Sequence, residues 1–231
     1  MQPNNPRQMP RDANEFIIRD GDFVRDFEGM YQHVEDPWDQ QRNCDSDLLL
    51  RSSYWFLGEV LRAGQHELGH ILDLGCGTGY CAEPLLSLGG TAAHCTGIDI
   101  SETAISRAFQ YVRDATPALT ARVHFETGDY RILNPKLVQK FGLIYCGKAL
   151  YYVGPEIDAC VNHIGAYLSA GGLLCYTFNQ KDDSFSNRYL NYSMLRAMVV
   201  SSGFEEKLFV EMTNTAGDEI LVVHICQKEA Q

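Results

Sequence analysis

From residue 70 onward, short apolar runs alternate along the chain with segments of helical periodicity. Five runs predict strands at 70–74, 93–99, 123–127, 141–146 and 172–178. The segments between them predict helices at 80–88, 102–114, 135–140 and 155–168. The strand runs are continuously apolar, which is typical of strands buried on both faces of a parallel sheet. This alternation predicts an α/β fold with right-handed crossovers and helices on both faces.

The end of the chain departs from this alternation. A helix predicted at 192–202 ends at Gly203, and two strand-like runs follow at 206–213 and 219–227. The five residues 214–218 between the runs are too few for a crossover, so the two strands are expected to pair as an antiparallel hairpin. A mostly parallel sheet that finishes in a hairpin is therefore predicted.

The residues before this region have a different character. Region 13–42 is polar but contains large aromatic residues at Phe16, Phe23, Phe27, Tyr31 and Trp38. Residues 47–63 have the spacing of an amphipathic helix. The expected organisation is a flexible tail at 1–14, an N-terminal helical or lid segment at 15–64, and the main domain at 65–231.

The charge balance narrows the range of partners. The 231 residues include 19 Lys and Arg against 30 Asp and Glu, a formal net charge of −11. Because this excess repels phosphate, nucleic acids and membrane surfaces are not expected partners. Eight cysteines are scattered without a C-x-x-C pair, which is typical of reduced thiols in a cytoplasmic protein. No apolar run reaches the ~20 residues of a membrane span, and a signal peptide is not expected at the N-terminus.

Candidate chemistry begins where the first predicted strand ends. That strand leads into the run Asp73-Leu74-Gly75-Cys76-Gly77-Thr78-Gly79. Alternate glycines let the backbone turn tightly and approach a ligand, and the helix that follows is expected to present free N–H groups to a carboxylate. The spacing G-x-G-x-G differs from the G-x-G-x-x-G of dinucleotide folds. The carboxylate of Asp73 suits an ammonium group of a ligand. A ligand that carries both a carboxylate and an ammonium group is an amino acid.

Two further acids follow the next two strands. Asp99 ends the second strand, 24 residues after Gly75, where a carboxylate accepts both hydroxyls of a ribose, and Ile100 is expected against the adenine face. Asp129 follows the third strand, where it can accept the exocyclic amine of adenine, with Tyr130 as a wall of the pocket.

The run 71–79 resembles the glycine motif of class I S-adenosylmethionine-dependent methyltransferases, and the likeness extends to about residue 227. The resemblance implies a Rossmann-like sheet of seven strands in the order 3-2-1-4-5-7-6, a cofactor-binding domain at 65–231, and S-adenosylmethionine as cofactor with S-adenosylhomocysteine as product. One departure is Gly142, where many members carry Asp. The residues expected at the cofactor are Asp73, Gly75, Cys76, Gly77, Gly79, Asp99, Ile100, Asp129, Tyr130 and Gly147.

The segment after the fourth predicted strand, 145–153, is expected to lie nearest the transferable methyl group. It lacks the [DNS]-P-P-[YFW] signature of enzymes that methylate adenine N6 and amides. It also lacks the strand-end Asp of metal-dependent catechol O-methyltransferases, so no metal is implied. The expected reaction is an in-line transfer to N or O of a small molecule. The runs Leu150-Tyr151-Tyr152 and Asp36-Pro37-Trp38 resemble nodulation-type N-methyltransferases that act on amino sugars, in which the position of Lys148 tends to be acidic.

Several side chains are candidates for the acceptor end of the site. The catalytic candidates are Tyr151 and Tyr152 as hydrogen-bonding phenols, Lys148 as an anion anchor, and His33 as a base if its segment closes. The substrate-binding candidates are Tyr31 and Trp38 in a lid, Asn179 at a strand tip, and the loop 181–187. The alternatives are that one tyrosine packs in the core, that Lys148 is a solvated loop lysine, and that Tyr31 and Trp38 only pack the N-terminal segment onto the main domain.

Other function classes fit parts of the pattern. A nicotinamide-dependent oxidoreductase is disfavoured by the glycine spacing and by the terminal hairpin. A catalytically silent cofactor-binding module and a methyltransferase of proteins or other macromolecules are alternatives that the residues leave open. The expected partner is a small-molecule acceptor, bound by a monomer or a homodimer.

Overall fold

One sheet of seven strands organises the molecule. The computed structural model describes residues 13–19, 22–40, 47–181, 190–214, 217 and 219–229. The strands are β1 (His70–Leu74), β2 (His94–Asp99), β3 (Val123–Thr127), β4 (Phe141–Gly147), β5 (Leu168–Lys181), β6 (Phe204–Thr213) and β7 (Glu219–Lys228). Their order across the sheet is β3-β2-β1-β4-β5-β7-β6.

The pairing of the strands confirms the predicted architecture. β1 to β5 pair in parallel, and β7 runs antiparallel to both β5 and β6. In this register Asp73 of β1 lies opposite Gly97 of β2 and Tyr145 of β4. The carboxyl ends of β1, β2 and β4 therefore meet at one edge of the sheet.

Seven helices in the described residues accompany the sheet: α1 (Ala13–Ile17), α2 (Phe27–His33), α3 (Leu48–Gly64), α4 (Ala82–Leu88), α5 (Glu102–Ala115), α6 (Ile157–Tyr167) and α7 (Tyr192–Ser201). The side chains of Asp47, Ser101 and Asn191 each accept a hydrogen bond from the backbone N–H three residues further on. These are N-caps, and Ser101 confirms the predicted start of α5.

Some predicted boundaries are wrong. Residues 135–140 form only a 3₁₀ turn at Pro135–Leu137, because the N–H groups of Gln139 and Lys140 donate to carbonyls of Ala166 and Tyr167 at the end of α6. The helix predicted from residue 80 begins at Ala82, since Gly79 still has the loop conformation with φ +83°. β5 is longer than predicted and starts at Leu168.

Strand β4 shows where the core lies. Leu143 and Tyr145 pack on one face of the sheet with apolar residues of α3 and α4. Ile144 and Cys146 pack on the other face with residues of α6 and α7. All four side chains are completely buried. The continuously apolar sequence of this strand is thus explained by burial on both faces.

The N-terminal residues pack onto this domain. α1 and α2 contact α5 through a small apolar cluster that includes Phe16, Met30, Tyr31 and Ala104. Two short strands, Ile18–Arg19 and Asp22–Phe23, pair between α1 and α2. The cysteines in the described ranges are all buried free thiols; Cys44 and most of the predicted tail lie outside those ranges. No described helix combines the length and apolar character that a membrane crossing requires.

Candidate active site

A cavity of about 320 Å³ lies at the carboxyl ends of β1, β2 and β4. Its lining residues come from the strand ends, the glycine loop and the N-terminal segment: Phe27, Tyr31, Trp38, Gln40, Leu50, Asp73, Gly75, Cys81, Asp99, Ile100, Tyr130, Gly147, Lys148, Ala149, Tyr151, Tyr152 and Asn179. Open α/β sheets bind ligands at this edge. The strand-end residues Asp73 and Asp99 therefore share one space with the predicted lid residues Tyr31 and Trp38.

The glycine loop is built for close approach of backbone to neighbours. Gly75 has φ +73°, and a Cβ atom there would lie 2.7 Å from the Cβ of Ala149. Gly77 has φ +52°, and a Cβ there would lie 2.6 Å from Oε1 of Gln40. Both conformations and both spaces exclude larger residues. The glycine loop thus turns sharply beside the cavity, which Gly75 lines.

The amides of the glycine loop itself are already engaged within the protein, whereas the free N–H groups expected at the start of the following helix stay a prediction. The N–H groups of Gly75 and Cys76 donate to the carbonyl of Ile98 at the end of β2. The N–H of Gly77 donates to Asp99 at 3.0 Å, and that of Thr78 to Gln40 at 3.2 Å. The loop satisfies its own donors because it folds back onto the end of the neighbouring strand.

Asp99 is buried at the end of β2, and a backbone N–H group holds each of its carboxylate oxygens in place. Oδ2 accepts from the N–H of Gly77 and Oδ1 from the N–H of Ser101, each at 3.0 Å. Burial raises the pKa of Asp99 above its ordinary value, and these backbone donors oppose that rise. The N–H of Ile100 also donates to this carboxylate, and a carboxylate has about four acceptor sites, so Asp99 keeps acceptor capacity for ligand hydroxyls.

Asp73 lies next to it with an unmatched oxygen. The residue is 2% exposed, and its Oδ2 has no hydrogen-bond partner among the described residues. Burial, and secondly the nearby charge of Asp99, raise the pKa of Asp73 to about 7. A buried carboxylate oxygen without a partner is costly, and a cationic donor in the cavity would relieve that cost.

Four predicted cofactor residues lie outside the cavity lining: Cys76, Gly77, Gly79 and Asp129. The carboxylate of Asp129 is held by Arg131, with Nη2 at 2.6 Å from Oδ2. Cys76 packs its side chain in a buried cluster with Phe125, and Gly79 faces that same ring. The side chain of Cys76 thus contributes to packing. Tyr130, in contrast, lines the cavity, and its hydroxyl donates a hydrogen bond to the carbonyl of Ala149 at 3.3 Å.

Aromatic rings form the other end of the cavity. Tyr152 contacts Tyr151, Trp38 and Phe27 at ring-centroid distances of 4.4, 5.5 and 5.5 Å. The hydroxyl of Tyr151 hydrogen-bonds that of Tyr152. Burial raises the pKa of Tyr152 to about 12, and it also raises the pKa of Tyr151 well above its ordinary value. Both phenols are therefore neutral at physiological pH and act as hydrogen-bonding groups.

Lys148 lines the cavity but is not an unpaired cation. Its ammonium pairs with Oδ2 of Asp47, the N-cap of α3. Its backbone has φ +55°, and its N–H donates to Oγ1 of Thr177 at 3.0 Å. The charge of Lys148, the predicted anion anchor, is thus balanced by Asp47. The sequence analysis did not find this pair because the two residues are far apart in the chain.

The structure does not bring His33 to the cavity. The side chain is exposed, stacks on Phe16 at 5.5 Å, and its Nδ1 lies 2.7 Å from the carbonyl oxygen of Gly29. The hypothesis that His33 is the base is not supported by this placement. Asn179, in contrast, lines the cavity, and its Nδ2 donates to Oε1 of Glu219 at 2.8 Å. The predicted contact loop beyond Lys181 lies outside the described residues.

Polar side chains bind the N-terminal segment to the main domain beside the cavity, and the sequence analysis did not find them. Glu28 accepts hydrogen bonds from Ser101 Oγ and Thr103 Oγ1, each at 2.6 Å. Gln40 Oε1 accepts from Thr78 Oγ1 at 2.8 Å, and Arg107 donates to the carbonyl of Val34 at 2.8 Å. No local pattern marks these residues, because every partner is distant in the sequence.

Comparisons with known proteins agree with this geometry. Residues 71–172 match the family model described as a methyltransferase domain. The chain is 31% identical over 108 residues to a ubiquinone biosynthesis O-methyltransferase of Coxiella burnetii, covering 47% of this chain and 42% of the relative. It is 34% identical over 133 residues to the O-methyltransferase cnsE of Penicillium expansum, covering 56% and 44%. The matches therefore span less than half the length of these relatives.

A solved structure shares the fold. The N-methyltransferase NodS from Bradyrhizobium japonicum WM9, in complex with S-adenosylhomocysteine, superposes with a TM-score of 0.64 at 16% identity. The superposition covers 84% of this chain and 93% of that one.

Proposed function

We propose that this chain is a class I S-adenosylmethionine-dependent methyltransferase and that it transfers a methyl group to nitrogen or oxygen of a small molecule. In this proposal residues 65–231 bind the cofactor and 15–64 form a segment that closes over it. The two curated relatives are O-methyltransferases and the solved neighbour is an N-methyltransferase. The element that accepts the methyl group is therefore part of the proposal.

The paired burial of Asp73 and Asp99 is the observation that carries this function. The unmatched Oδ2 of Asp73 suits the ammonium of the cofactor, and the remaining acceptor capacity of Asp99 suits the ribose hydroxyls. Ile100 and Tyr130 line the cavity beyond them, where their apolar surfaces would flank the adenine ring. The lining thus offers complementary chemistry to each part of the cofactor.

Methyl transfer by this site requires alignment above all. When bound, the cofactor supplies an electrophilic methyl group on a positively charged sulfur. The aromatic residues Trp38, Tyr151 and Tyr152 would hold the acceptor in line with that methyl group and exclude water. Positioning of this kind lowers a barrier by several kcal/mol without a covalent step on the enzyme. The phenols keep their protons, so they orient the acceptor rather than deprotonate it.

The acceptor end favours a small, flat molecule without a strong charge. Its walls are mostly aromatic, and the ammonium of Lys148 is compensated by Asp47. A free carboxylate or phosphate on the acceptor would have to compete with Asp47 for that ammonium. A neutral ring bearing an amine or a hydroxyl meets no such competition.

A labelled-methyl experiment tests the proposed function. The protein is incubated with S-adenosylmethionine that carries a trideuterated methyl group, together with a cell extract separated by ultrafiltration into small molecules and macromolecules. We expect a labelled product in the small-molecule fraction and an equal amount of S-adenosylhomocysteine. Asp99→Ala should abolish both signals, whereas Asp158→Ala removes an exposed acid of α6 and should leave them unchanged.

Two results would contradict the proposal. Label confined to the macromolecule fraction would refute the small-molecule acceptor. Failure to form S-adenosylhomocysteine in either fraction would refute methyl transfer itself.

A further inference from the structure

The side chain of Asn179, near the carboxyl end of β5, carries a buried oxygen that has no partner. Asn179 lines the same cavity as Tyr151 and Lys148. Its Oδ1 is inaccessible to water and accepts no hydrogen bond from the described residues. Buried amide oxygens are almost always hydrogen-bonded in folded proteins. An exception in the wall of a cavity indicates a site that a ligand completes.

Glu219 fixes the orientation of this amide. Nδ2 of Asn179 donates to Oε1 of Glu219 at 2.8 Å, across the antiparallel pair of β5 and β7. An ionised carboxylate only accepts hydrogen bonds, so the amide must turn its NH₂ toward Glu219 and its oxygen away. The carbonyl oxygen is therefore held in one direction rather than free to exchange with the nitrogen.

The donors on the neighbouring walls are already committed. The ammonium of Lys148 pairs with Asp47, and the hydroxyl of Tyr130 donates to the carbonyl of Ala149. The hydroxyl of Tyr151 hydrogen-bonds that of Tyr152. Oδ1 of Asn179 thus needs a donor that these side chains do not supply.

We infer that Asn179 recognises the methyl acceptor by accepting a hydrogen bond from an N–H or O–H group of that molecule, and that Glu219 is the positioning residue that aims it. The inference rests on the proposed function and names the chemical class of the acceptor: a neutral molecule that presents an N–H or O–H hydrogen-bond donor. A molecule of the same shape without that donor would leave Oδ1 unsatisfied and bind more weakly.

Matched pairs of small arenes test this inference. The protein is first saturated with S-adenosylhomocysteine, and ligand-observed NMR then measures the binding of phenol against anisole and of aniline against N,N-dimethylaniline. We expect the donor-bearing member of at least one pair to bind roughly tenfold more tightly, the effect of one satisfied buried acceptor. The pair with the larger ratio tells whether the recognised donor is a hydroxyl or an amine.

Four variants separate recognition from structure. Asn179→Leu should bring the ratio close to one. Glu219→Leu should reduce it because the amide can then flip, and Glu219→Gln should retain most of it because a side-chain oxygen still faces Nδ2. Asn162→Leu changes an exposed asparagine of α6 and should keep the wild-type ratio. Binding of S-adenosylhomocysteine shows that each variant is folded.

The outcomes distinguish this inference from the proposed function. Equal binding within both pairs, absence of binding by every donor-bearing probe, or an unchanged ratio in Asn179→Leu would overturn the role of Asn179 while the cofactor site stands. A wild-type protein that does not bind S-adenosylhomocysteine would refute the proposed function, and this inference with it.

Discussion

Asp73 holds a carboxylate where burial works against its charge. The rise of its pKa from 3.8 to about 7 corresponds to a preference of about 4 kcal/mol for the protonated form in the folded protein. Because the unfolded chain releases this proton near pH 4, folding stability falls as the pH rises from about 4 to 7. Above pH 7 the folded protein carries the full cost of the charge. A bound ammonium is the partner that would offset it.

Asp73→Asn should therefore separate stability from binding. At pH 8 we expect the variant without ligand to unfold at a higher temperature than the wild type, since the buried charge is gone. At pH 4 the two proteins should be nearly equal in this respect. Calorimetric unfolding at both pH values checks this, and a variant less stable than the wild type at pH 8 would show that the carboxylate has a hidden partner.

The same carboxylate predicts a pH dependence of cofactor binding. Below pH 7 Asp73 must lose a proton before it can pair with an ammonium, so the affinity for S-adenosylhomocysteine should rise up to about tenfold per pH unit and level off above about pH 8. Titration calorimetry in two buffers of different ionisation enthalpy should detect proton release at pH 6 and little at pH 8. Asp73→Asn should bind weakly at every pH; a variant that keeps the wild-type pH profile would assign the titration to another group.

At the scale of elements, the segment 25–40 contributes Phe27, Tyr31, Trp38 and Gln40 to the cavity lining, and it is hydrogen-bonded to the start and the middle of α5. Glu28 of α2 meets the start of α5, where unpaired backbone N–H groups and the helix dipole favour a negative charge. Burial alone would raise the pKa of Glu28, but hydrogen bonds from Ser101 and Thr103 lower it to about 2. The stabilisation from this carboxylate is present above pH 4.5 and is lost only as the pH falls toward 2. The hydrogen bonds of Glu28 with Ser101 and Thr103 are thus kept throughout the physiological pH range.

Glu28→Ala should weaken the contact between α2 and α5 without removing a cavity-lining residue. We expect S-adenosylhomocysteine to dissociate roughly threefold to tenfold faster, as the loss of a few hydrogen bonds implies, with a smaller change in the association rate. Stopped-flow fluorescence measures both rates. Glu35→Ala, an exposed acid of the same segment, is the control. Equal dissociation rates in the two variants would show that the segment does not retain the ligand.

At the scale of the whole molecule, the sequence predicts most of the sheet because its central strands, such as β1 and β4, are apolar runs buried on both faces. β1 and β3 have the predicted ends, and the order of all seven strands agrees. The helix predicted at 135–140 fails because Gln139 and Lys140 hydrogen-bond to the end of α6, a contact that periodicity does not contain.

Some features of the candidate site could likewise be predicted from the sequence, and others could not. That Asp73 and Asp99 line the cavity was predictable, because each lies at or next to the end of a recognisable strand. The compensation of Lys148 by Asp47 was not, since 101 residues separate the two. Gln40 and Glu28 have no local signal either, because their roles depend on which distant donors the fold brings to them.

One titration tests the central claim that this cavity is a site for S-adenosylmethionine and its product. S-adenosylhomocysteine is titrated calorimetrically into the wild type, into Asp99→Ala and into Asp158→Ala, with circular dichroism as the check on folding. We expect one molecule bound per chain by the wild type and by Asp158→Ala, and binding at least about tenfold weaker in Asp99→Ala, because two hydroxyls lose a charged acceptor. Equal affinity in all three proteins, or no binding by the wild type, would contradict the claim.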